Sequence, residues 1–272
     1  MGLVVNTNTA AFNTSRVLRR STLALNRSLE RLSSGLRINR AADVAAGLTI
    51  AEGLRAQVRG FQQAQRNSQD GISLVQTAEG ALSETTNIIQ RIRELAVQSA
   101  NGTQTAATRT SLQGEVAQLL TQIDDIATRT TFNGVVLLDG STASVVLQSG
   151  INAGQTTTVT LGDADSTALA INTTDISTVG GATTAITAAD AALTTVNALR
   201  GGLGATQNRL EFTINTLGIQ VENSLASESA IRDADIALET IAFTRNQILV
   251  TAGTSILAQA NIVPQTALQL LG

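Results

Sequence analysis

Apolar residues recur along the chain at the alternating spacing of three and four that is typical of helices packed side by side. The longest series has eight positions: Leu74, Ala78, Ala81, Thr85, Ile88, Ile92, Leu95 and Ser99. It predicts a long helix that begins as early as Ala45. The helix is expected to end at Asn101-Gly102, because both residues tolerate the left-handed conformation of a helix cap.

Two further series predict two more helices. The second series consists of Leu112, Val116, Leu119, Ile123 and Ile126, and it stops before Phe132-Asn133-Gly134, which is a turn signal. The third series consists of Leu193, Val196, Arg200, Leu203, Gln207, Leu210, Ile214, Leu217 and Val221. Its two polar members, Arg200 and Gln207, weaken the packing but help to fix the register of the paired helices.

Between residues 132 and 186 the helical spacing is lost, and Thr, Ser, Gly and Asn become frequent. Two β-prone runs, 144–148 and 156–161, flank a glycine-containing loop, which predicts a hairpin. Residues 135–138 are a candidate for a further short strand. The stretch 173–185 predicts an exposed connector.

Both ends of the chain carry apolar stripes at helical spacing. The N-terminal stripe is Leu18, Leu25, Leu29, Leu32 and Leu36, and the C-terminal stripe includes Ile241, Ile248, Ala252 and Ile256. Residues 1–40 hold seven Arg and one Glu, whereas residues 233–272 have a net charge of −2. Opposite charge favours pairing of the two arms, although burial of the apolar stripes is the larger contribution.

The predicted fold class is therefore mainly α. We expect a long, coiled-coil-like helical rod with the termini together at one end and a small β-hairpin region from the middle of the chain at the other. The predicted domains are 1–43 plus 233–272, formed by the terminal arms, and 44–232, with a β-rich segment at about 132–175. Such a rod leaves apolar stripes uncovered, which favours partners.

The composition removes most catalytic and metal-binding chemistry. The chain has no Cys and no His, and its 18 basic residues are all arginines. It therefore lacks the usual zinc ligands, the commonest general base, and the lysine of phosphate loops and Schiff bases. We predict no catalytic residue, no metal and no cofactor. The net charge of −3 argues against nucleic-acid binding, and no apolar run is long enough to predict membrane insertion.

Several long segments resemble bacterial flagellins. Near the N-terminus these are NRSLERLSSGLRINRAAD (26–43), AAGLTIAEGLRAQVRG (45–60), NSQDGISLVQTAEGALSE (67–84) and IQRIRELAVQSANGT (89–103). Downstream they are LGATQNRLEFTINTL (203–217) and AGTSILAQANIVPQTALQLLG (252–272). Together they cover both terminal thirds of the chain, whereas residues 140–185 match no signature.

The resemblance implies a secreted structural subunit rather than an enzyme. Flagellins are exported unfolded through the flagellar type III apparatus, without a cleaved signal, and assemble at the tip into the extracellular filament. The terminal arms would form an inner-tube domain, and the remaining helices a shell domain without extra outer domains. Implied partners are other copies of the chain, an export chaperone, the cap protein and the hook-associated junction protein. The implied assembly residues are Leu18, Leu25, Leu29, Leu32, Leu36, Ile248, Ala252 and Ile256.

The resemblance also implies a site for a host receptor. The segment IQRIRELAVQ is similar to the one that flagellins present to Toll-like receptor 5, which places Arg91 and Leu95 in that patch. The segment QGEVAQL places Glu115 beside them.

A departure from the flagellin pattern occurs at Asp43-Val44, where two successive acidic residues are expected after Ala-Ala. This position joins the two predicted domains. We therefore expect Asp43 and Val44 to influence filament curvature.

Three alternative functions remain open on the sequence. A hook–filament junction protein shares the terminal helices with flagellin. A carboxylate enzyme could use the acidic pairs Asp124-Asp125 or Asp233 and Asp235, although acids near a helix start are usually explained by the helix dipole. A membrane-inserting helical translocator could place the arginine-rich N-terminal arm on an anionic surface.

Overall fold

The computed structural model describes the backbone of residues 7–269 and the side chains of residues 7–262. Five helices make up most of the described chain: α1 (Thr9–Ser34), α2 (Ala45–Ala100), α3 (Ala106–Arg129), α4 (Val179–Arg232) and α5 (Ile236–Gln269). Four short strands lie between α3 and α4: β1 (Thr131–Phe132), β2 (Val135–Val136), β3 (Ser144–Gln148) and β4 (Thr156–Thr160). The prediction of a mainly α fold with a small β region in mid-chain is confirmed.

The chain forms two compact units. We call Met1–Ala56 with Asn223–Gly272 the terminal unit and Gln57–Glu222 the middle unit. In the part of the chain that the structure describes, no helix combines the length and the apolarity needed to cross a bilayer.

In the terminal unit, α1 and α5 pack antiparallel. The side-chain amide of Asn8 donates to the carbonyl of Ala260 at 2.8 Å near one end, and Arg31 contacts Glu239 at 3.5 Å near the other. The two ends of the described chain thus lie together, as predicted. The Arg31–Glu239 contact is the one ion pair between α1 and α5 among the described side chains. Opposite net charge therefore contributes less to this pairing than apolar packing does.

The face of α5 that packs on α1 differs from the predicted stripe. Ile248 and Ile256 are 63% and 57% exposed, and Ala252 is exposed as well. Half-buried positions follow a neighbouring helical register: Ala242, Asn246, Val250, Gly253, Leu257 and Ala260. Gly253 lies so close to Leu18 that an added Cβ would sit 3.2 Å from its Cδ1. The pairing with α1 therefore uses this neighbouring register, in which Val250 and Leu257 lie among smaller or polar residues, and the isoleucines of the predicted stripe point outward.

The N-terminal leucines are divided between three environments. Leu18, Leu25 and Leu32 are half-buried at a spacing of seven, whereas Leu29 is 55% exposed. Leu36 follows the end of α1 and forms an isolated antiparallel bridge with Asp233. The helix ends before Leu36 because Gly35 adopts a left-handed cap with φ of 72°.

An ion-pair network ties the start of α2 to the end of α4 within the terminal unit. Arg232, whose side chain is 11% exposed, contacts Glu52 at 3.3 Å and Glu228 at 3.8 Å. Arg55 contacts Glu228 at 3.4 Å. The backbone N–H of Arg37 also donates to the carbonyl of Arg232 at 2.6 Å. These contacts hold the α1–α2 connection against the end of α4.

In the middle unit, α3 and α4 each run antiparallel to α2. Arg91 of α2 contacts Glu115 of α3 at 2.8 Å, and Arg93 contacts Asp190 of α4 at 2.6 Å. Of the eight predicted seam positions in α2, six are buried: Leu74, Ala78, Thr85, Ile92, Leu95 and Ser99. The predicted packing face of α2 is therefore confirmed.

The start of α4 corrects the predicted connector at 173–185. The helix begins at Val179, and the hydroxyl of Thr178 accepts from the N–H of Gly181 at 3.0 Å, as an N-cap does. Four buried alanines extend the seam towards the N-terminus: Ala182, Ala185, Ala189 and Ala192. Alanine and glycine give a weak periodic signal, which explains why the sequence did not predict this part of the helix.

Two antiparallel hairpins form the β region. Strands β3 and β4 pair from Ser144↔Thr160 to Gln148↔Thr156, which confirms the predicted hairpin. Strands β1 and β2 are joined by Asn133-Gly134, with φ of 48° and 81°. Positive φ at both central residues is the requirement of a type I′ turn, which Asn-Gly satisfies. The strands lie between residues 131 and 160, and the part of the predicted β-rich segment after residue 160 contains none.

Candidate functional site

The outer side of α5 is a candidate assembly surface. Five large apolar side chains, which we call the α5 apolar face, lie there: Leu238, Ile241, Ile248, Leu249 and Ile256, with exposed fractions of 66%, 57%, 63%, 47% and 57%. Seven residues make nearly two helical turns, so Ile241 and Ile248 lie on one side of the helix. A large apolar face exposed on a folded chain is typical of a site that another molecule covers. The sequence prediction had included Ile248 and Ile256 but had missed Leu238 and Leu249.

The connection between α1 and α2 is ordered by Asp43. Its carboxylate accepts from the backbone N–H groups of Asn39 and Arg40 at 3.2 and 3.0 Å. These two bonds, the one from Arg40 first, lower the pKa of Asp43 from its usual 3.8. The nearby positive charges of Arg31 and Arg27 act in the same direction. Asp43 therefore stabilises the connection when it is ionised.

This pKa shift predicts a pH dependence of stability. A carboxyl whose pKa is lower in the folded state stabilises the fold at pH values above its unfolded pKa, and the stabilisation is lost as the pH falls. We expect the wild type to be more stable than Asp43→Asn at about pH 7, and the difference to shrink from about pH 5 downward. Urea unfolding of both proteins across this range measures it. An unchanged difference at low pH would contradict the assignment, because all other carboxyls are common to both proteins.

Val44 occupies the N-cap position of α2. Its carbonyl accepts the first helical hydrogen bond, from Leu48 N–H at 3.0 Å, and α2 begins at the next residue. A valine side chain has no acceptor for the unpaired N–H groups of the first turn. The first turn of α2 also contains no acidic residue. The start of α2 is therefore less stabilised than a helix with an acidic N-cap.

We predict that Val44→Asp raises the free energy of unfolding of the terminal unit by about 0.5–2 kcal/mol. The aspartate would accept from the first-turn N–H groups, and little burial is lost because Val44 is 50% exposed. Chemical denaturation followed by helical circular dichroism measures this change. Val44→Ala is the matched control and should change the stability little. Equal stability of the two variants would refute the capping argument.

Arg91 and Glu115 form a charged bridge between α2 and α3. Arg91 Nε donates to Glu115 at 2.9 Å, and a second guanidinium nitrogen donates to Glu94 at 3.2 Å. The hydrogen bonds to Glu115 and then to Glu94 raise the pKa of Arg91 above its usual value. The side chains of Arg91 and Glu115 are 50% and 42% exposed. The bridge therefore presents both charges to solvent in a fixed arrangement.

Leu95, which was predicted to share this surface, lies in the hydrophobic core of the middle unit. Its side chain is 1% exposed. Leu95 follows Arg91 by four residues along α2. Leu95 lies on the face of α2 that packs in the core, whereas Arg91 lies at the edge of that face. The structure corrects the surface role of Leu95, because a side chain covered by its own fold cannot contact a partner without local opening.

Comparison with known proteins agrees with this architecture. The chain matches the family model of the bacterial flagellin N-terminal helical region over residues 5–143 and that of the C-terminal helical region over residues 186–271. It is 48% identical to a flagellin of Halalkalibacterium halodurans, across 99% of this chain and 100% of that protein. It is 44% identical to the flagellar filament 33 kDa core protein of Treponema phagedenis, with the same coverage.

A solved structure supports the same assignment. The crystal structure of Bacillus cereus flagellin aligns with a TM-score of 0.52 at 36% identity, over 56% of this chain and 88% of that chain. The two family models, the relatives matched over their full length and the solved structure all indicate the same family. The chain belongs to the bacterial flagellins, the structural subunits that assemble into the flagellar filament.

Proposed function

We propose that the terminal helices drive assembly and that the α5 apolar face is buried between copies of the chain in the filament. The observation that carries this proposal is the exposure of Ile241, Ile248 and Ile256, each more than half accessible on one side of α5. Burial of the part that is still exposed contributes roughly 1–2 kcal/mol for each of these side chains. Contacts of this kind between identical chains favour the polymer over the separate subunits.

The domain assignment in this proposal follows the connections between helices. Residues 1–43 and 233–272 form the inner tube, and residues 44–232 form the surrounding shell. These boundaries lie at the two connections, residues 35–44 and 233–235, whereas the compact terminal unit also includes the start of α2 and the end of α4. Among the predicted assembly residues, Leu18, Leu25 and Leu32 contribute to assembly by holding α1 against α5.

Export as an unfolded chain belongs to the same proposal. The subunit would leave the cell through the flagellar type III apparatus, with a chaperone, and join the growing tip beneath the cap protein. A hook-associated junction protein would connect the filament to the hook. A chain without Cys can unfold and refold outside the cell without any disulfide chemistry, which supports this route.

Deletion of either terminal arm tests the assembly proposal. Purified full-length chain, with or without filament seeds, is expected to form filaments in negative-stain microscopy, and chains lacking 1–34 or 236–272 are not. A full-length chain that never polymerises by itself would instead favour the hook–filament junction protein. Filaments from both deletion variants would refute the role of the arms.

A second proposed function is recognition by Toll-like receptor 5 through the Arg91–Glu115 bridge. The bridge is exposed and joins two helices, so it offers a partner one donor group and one acceptor group in fixed positions. We predict that Arg91→Ala with Glu115→Ala lowers receptor signalling by the monomer. Arg93→Ala with Asp190→Ala removes an equivalent bridge, between α2 and α4, and is the matched control. Signalling that is unchanged by the first pair would refute the site.

The influence of Asp43 and Val44 on filament curvature is a third part of the proposal. A better N-cap at residue 44 would change how firmly α2 is held at its start. Helical reconstruction of filaments made from Val44→Asp tests this idea. Helical parameters identical to those of the wild type would reject it.

A further inference from the structure

Two Asn-Gly pairs occur in the middle unit, Asn101-Gly102 and Asn133-Gly134, and the fold holds them in different conformations. Both asparagines and both glycines are exposed. An Asn-Gly pair can cyclise, because glycine has no side chain to shield the backbone nitrogen that attacks the preceding carboxamide. The rate in a folded protein depends on how the backbone presents that nitrogen to the side chain.

The turn between β1 and β2 keeps the reacting atoms of Asn133-Gly134 apart. Asn133 has a φ of 48°. Residues in this left-handed region have ψ of about +47°, which turns the following nitrogen to the side opposite Cβ. Phe132 and Val135 pair directly beside the turn and hold it in place. The Gly134 nitrogen therefore reaches the carboxamide of Asn133 only when the hairpin opens.

The connection between α2 and α3 arranges Asn101-Gly102 differently. Asn101 directly follows α2, and neither it nor Gly102 is among the described residues with positive φ. The side-chain Oδ1 of Asn101 accepts from the backbone N–H of Thr103 at 3.1 Å. In such an Asx turn the carboxamide lies against the peptide group that follows it. The same hydrogen bond polarises the carbonyl that the Gly102 nitrogen would attack.

The reacting atoms of this pair are also unhindered. Neither the Gly102 N–H nor the Nδ2 of Asn101 donates a hydrogen bond to any described group. An added Cβ on Gly102 would meet nothing within 4 Å, so the space around its backbone is open. The carbonyl of Asn101, by contrast, accepts from Gln104 N–H at 3.1 Å and from the Arg109 guanidinium at 2.9 Å. The main chain is thus ordered while the nucleophile and the leaving group remain free.

We propose that Asn101 is a site of spontaneous deamidation in the folded chain, whereas the hairpin protects Asn133. The Gly102 nitrogen loses its proton and attacks Cγ of Asn101, the Cγ–Nδ2 bond breaks, and the amide leaves as ammonia with that proton. Water then opens the succinimide at either carbonyl, which yields aspartate or isoaspartate. Either product adds one negative charge, and isoaspartate also adds a methylene to the main chain.

The isoaspartate product disturbs the end of α2. Arg109 of α3 donates to the carbonyls of Ser99 and Asn101 at 2.8 and 2.9 Å, which satisfies acceptors that the helix end leaves free. A longer main chain at residue 101 moves the second carbonyl away from the guanidinium. Aspartate keeps the backbone length, and its carboxylate still accepts from Thr103. We therefore expect faster tryptic cleavage after Arg109 in isoaspartate-containing chains than in Asn101→Asp.

Peptide mass spectrometry of the full chain, incubated at mildly alkaline pH, tests the proposal. In urea both pairs should deamidate at similar rates, because glycine follows each asparagine. In the folded chain Asn101 should react at nearly its rate in urea. Asn133 should react at least about tenfold more slowly than in urea, since hydrogen bonds of the hairpin must break first. Isoaspartyl methyltransferase should label the peptide that contains residue 101.

A pair of valine substitutions provides the matched control. Gly102→Val keeps Asn101 and shields the attacking nitrogen, and the open space accommodates the new Cβ, so deamidation of Asn101 should fall below detection over the same period. Thr103→Val introduces the same side chain one residue later and should leave the rate unchanged. Circular dichroism must show the same helix content in both variants. Equal loss of deamidation in the two variants would refute the role of the Gly102 nitrogen.

The rates in the folded chain decide the proposal. Deamidation of Asn133 that is as fast as that of Asn101, or faster, would overturn it. An Asn101 that stays intact over a period in which the chain in urea reacts would overturn it too.

Discussion

Serine in place of Ile241, Ile248 and Ile256 is expected to abolish filament formation at concentrations where the wild type polymerises. These side chains are more than half exposed in the single chain, so the substitutions cost the folded monomer little. In the polymer, burial of the part of each isoleucine that is still exposed contributes roughly 1–2 kcal/mol. Loss of three raises the critical concentration by at least about 100-fold, since about 1.4 kcal/mol corresponds to a factor of ten. Sedimentation of polymer over a range of protein concentrations measures this value.

The control for this prediction keeps the apolar character of the face. A variant with valine at the same three positions loses one methylene at each, so its critical concentration should rise only about tenfold. Thermal unfolding of the monomers should be similar for the wild type, the serine variant and the valine variant. A serine variant that polymerises as readily as the wild type would show that α5 contacts other copies through a different face.

Leu95→Ala should lower the free energy of unfolding of the middle unit by about 2–5 kcal/mol. Leu95 is 1% exposed on the seam of α2, so the shorter side chain leaves a cavity in the core. Val97 lies on the same helix and is 48% exposed, and Val97→Ala should cost less than about 0.5 kcal/mol. Urea unfolding of both variants measures the two values. Similar small losses would contradict the buried position of Leu95.

Variants of Leu95 also test its role in receptor recognition. Reduced signalling by Leu95→Ala would be explained by loss of folded protein rather than by loss of a contact. Leu95→Met conserves volume and should keep both the fold and the signalling. Strong loss of signalling in a stable Leu95→Met protein would show that the core position opens to meet the receptor.

Large apolar residues made the middle unit predictable from the sequence. The series from Leu74 to Ser99 has strict spacing and contains four large aliphatic residues, and the structure buries six of its eight members. Asn133-Gly134 likewise predicted a turn, because few other residues accept positive φ. These elements could be predicted from their own residues, without knowing which other elements they pack against.

The helix packing that the sequence did not predict passes through small residues. The start of α4 packs through alanines such as Ala182 and Ala189, and the seam of α5 passes through Gly253. The larger isoleucines of α5 gave the stronger pattern, but they point away from α1. Burial within a single chain and burial in an assembly produce the same periodic signal, so the sequence alone could not separate them.

The arrangement of the charged residues also needed the structure. The sequence indicated opposite net charges on the two arms, but only Arg31 and Glu239 meet between the described side chains of α1 and α5. Asp235, by contrast, has the role expected near a helix start, and its carboxylate accepts from the N–H groups of Ala237 and Leu238. Net charge does not specify which side chains meet, whereas a cap is determined by its immediate neighbours.

The accessibility of one introduced thiol tests the central claim most directly. The chain has no Cys, so Ile248→Cys provides a unique probe on the α5 apolar face. Labelling by a water-soluble maleimide should be fast in the monomer, blocked in sedimented filaments, and fast again after the filaments are depolymerised. Equal labelling rates in monomer and filament would contradict burial of this face between subunits.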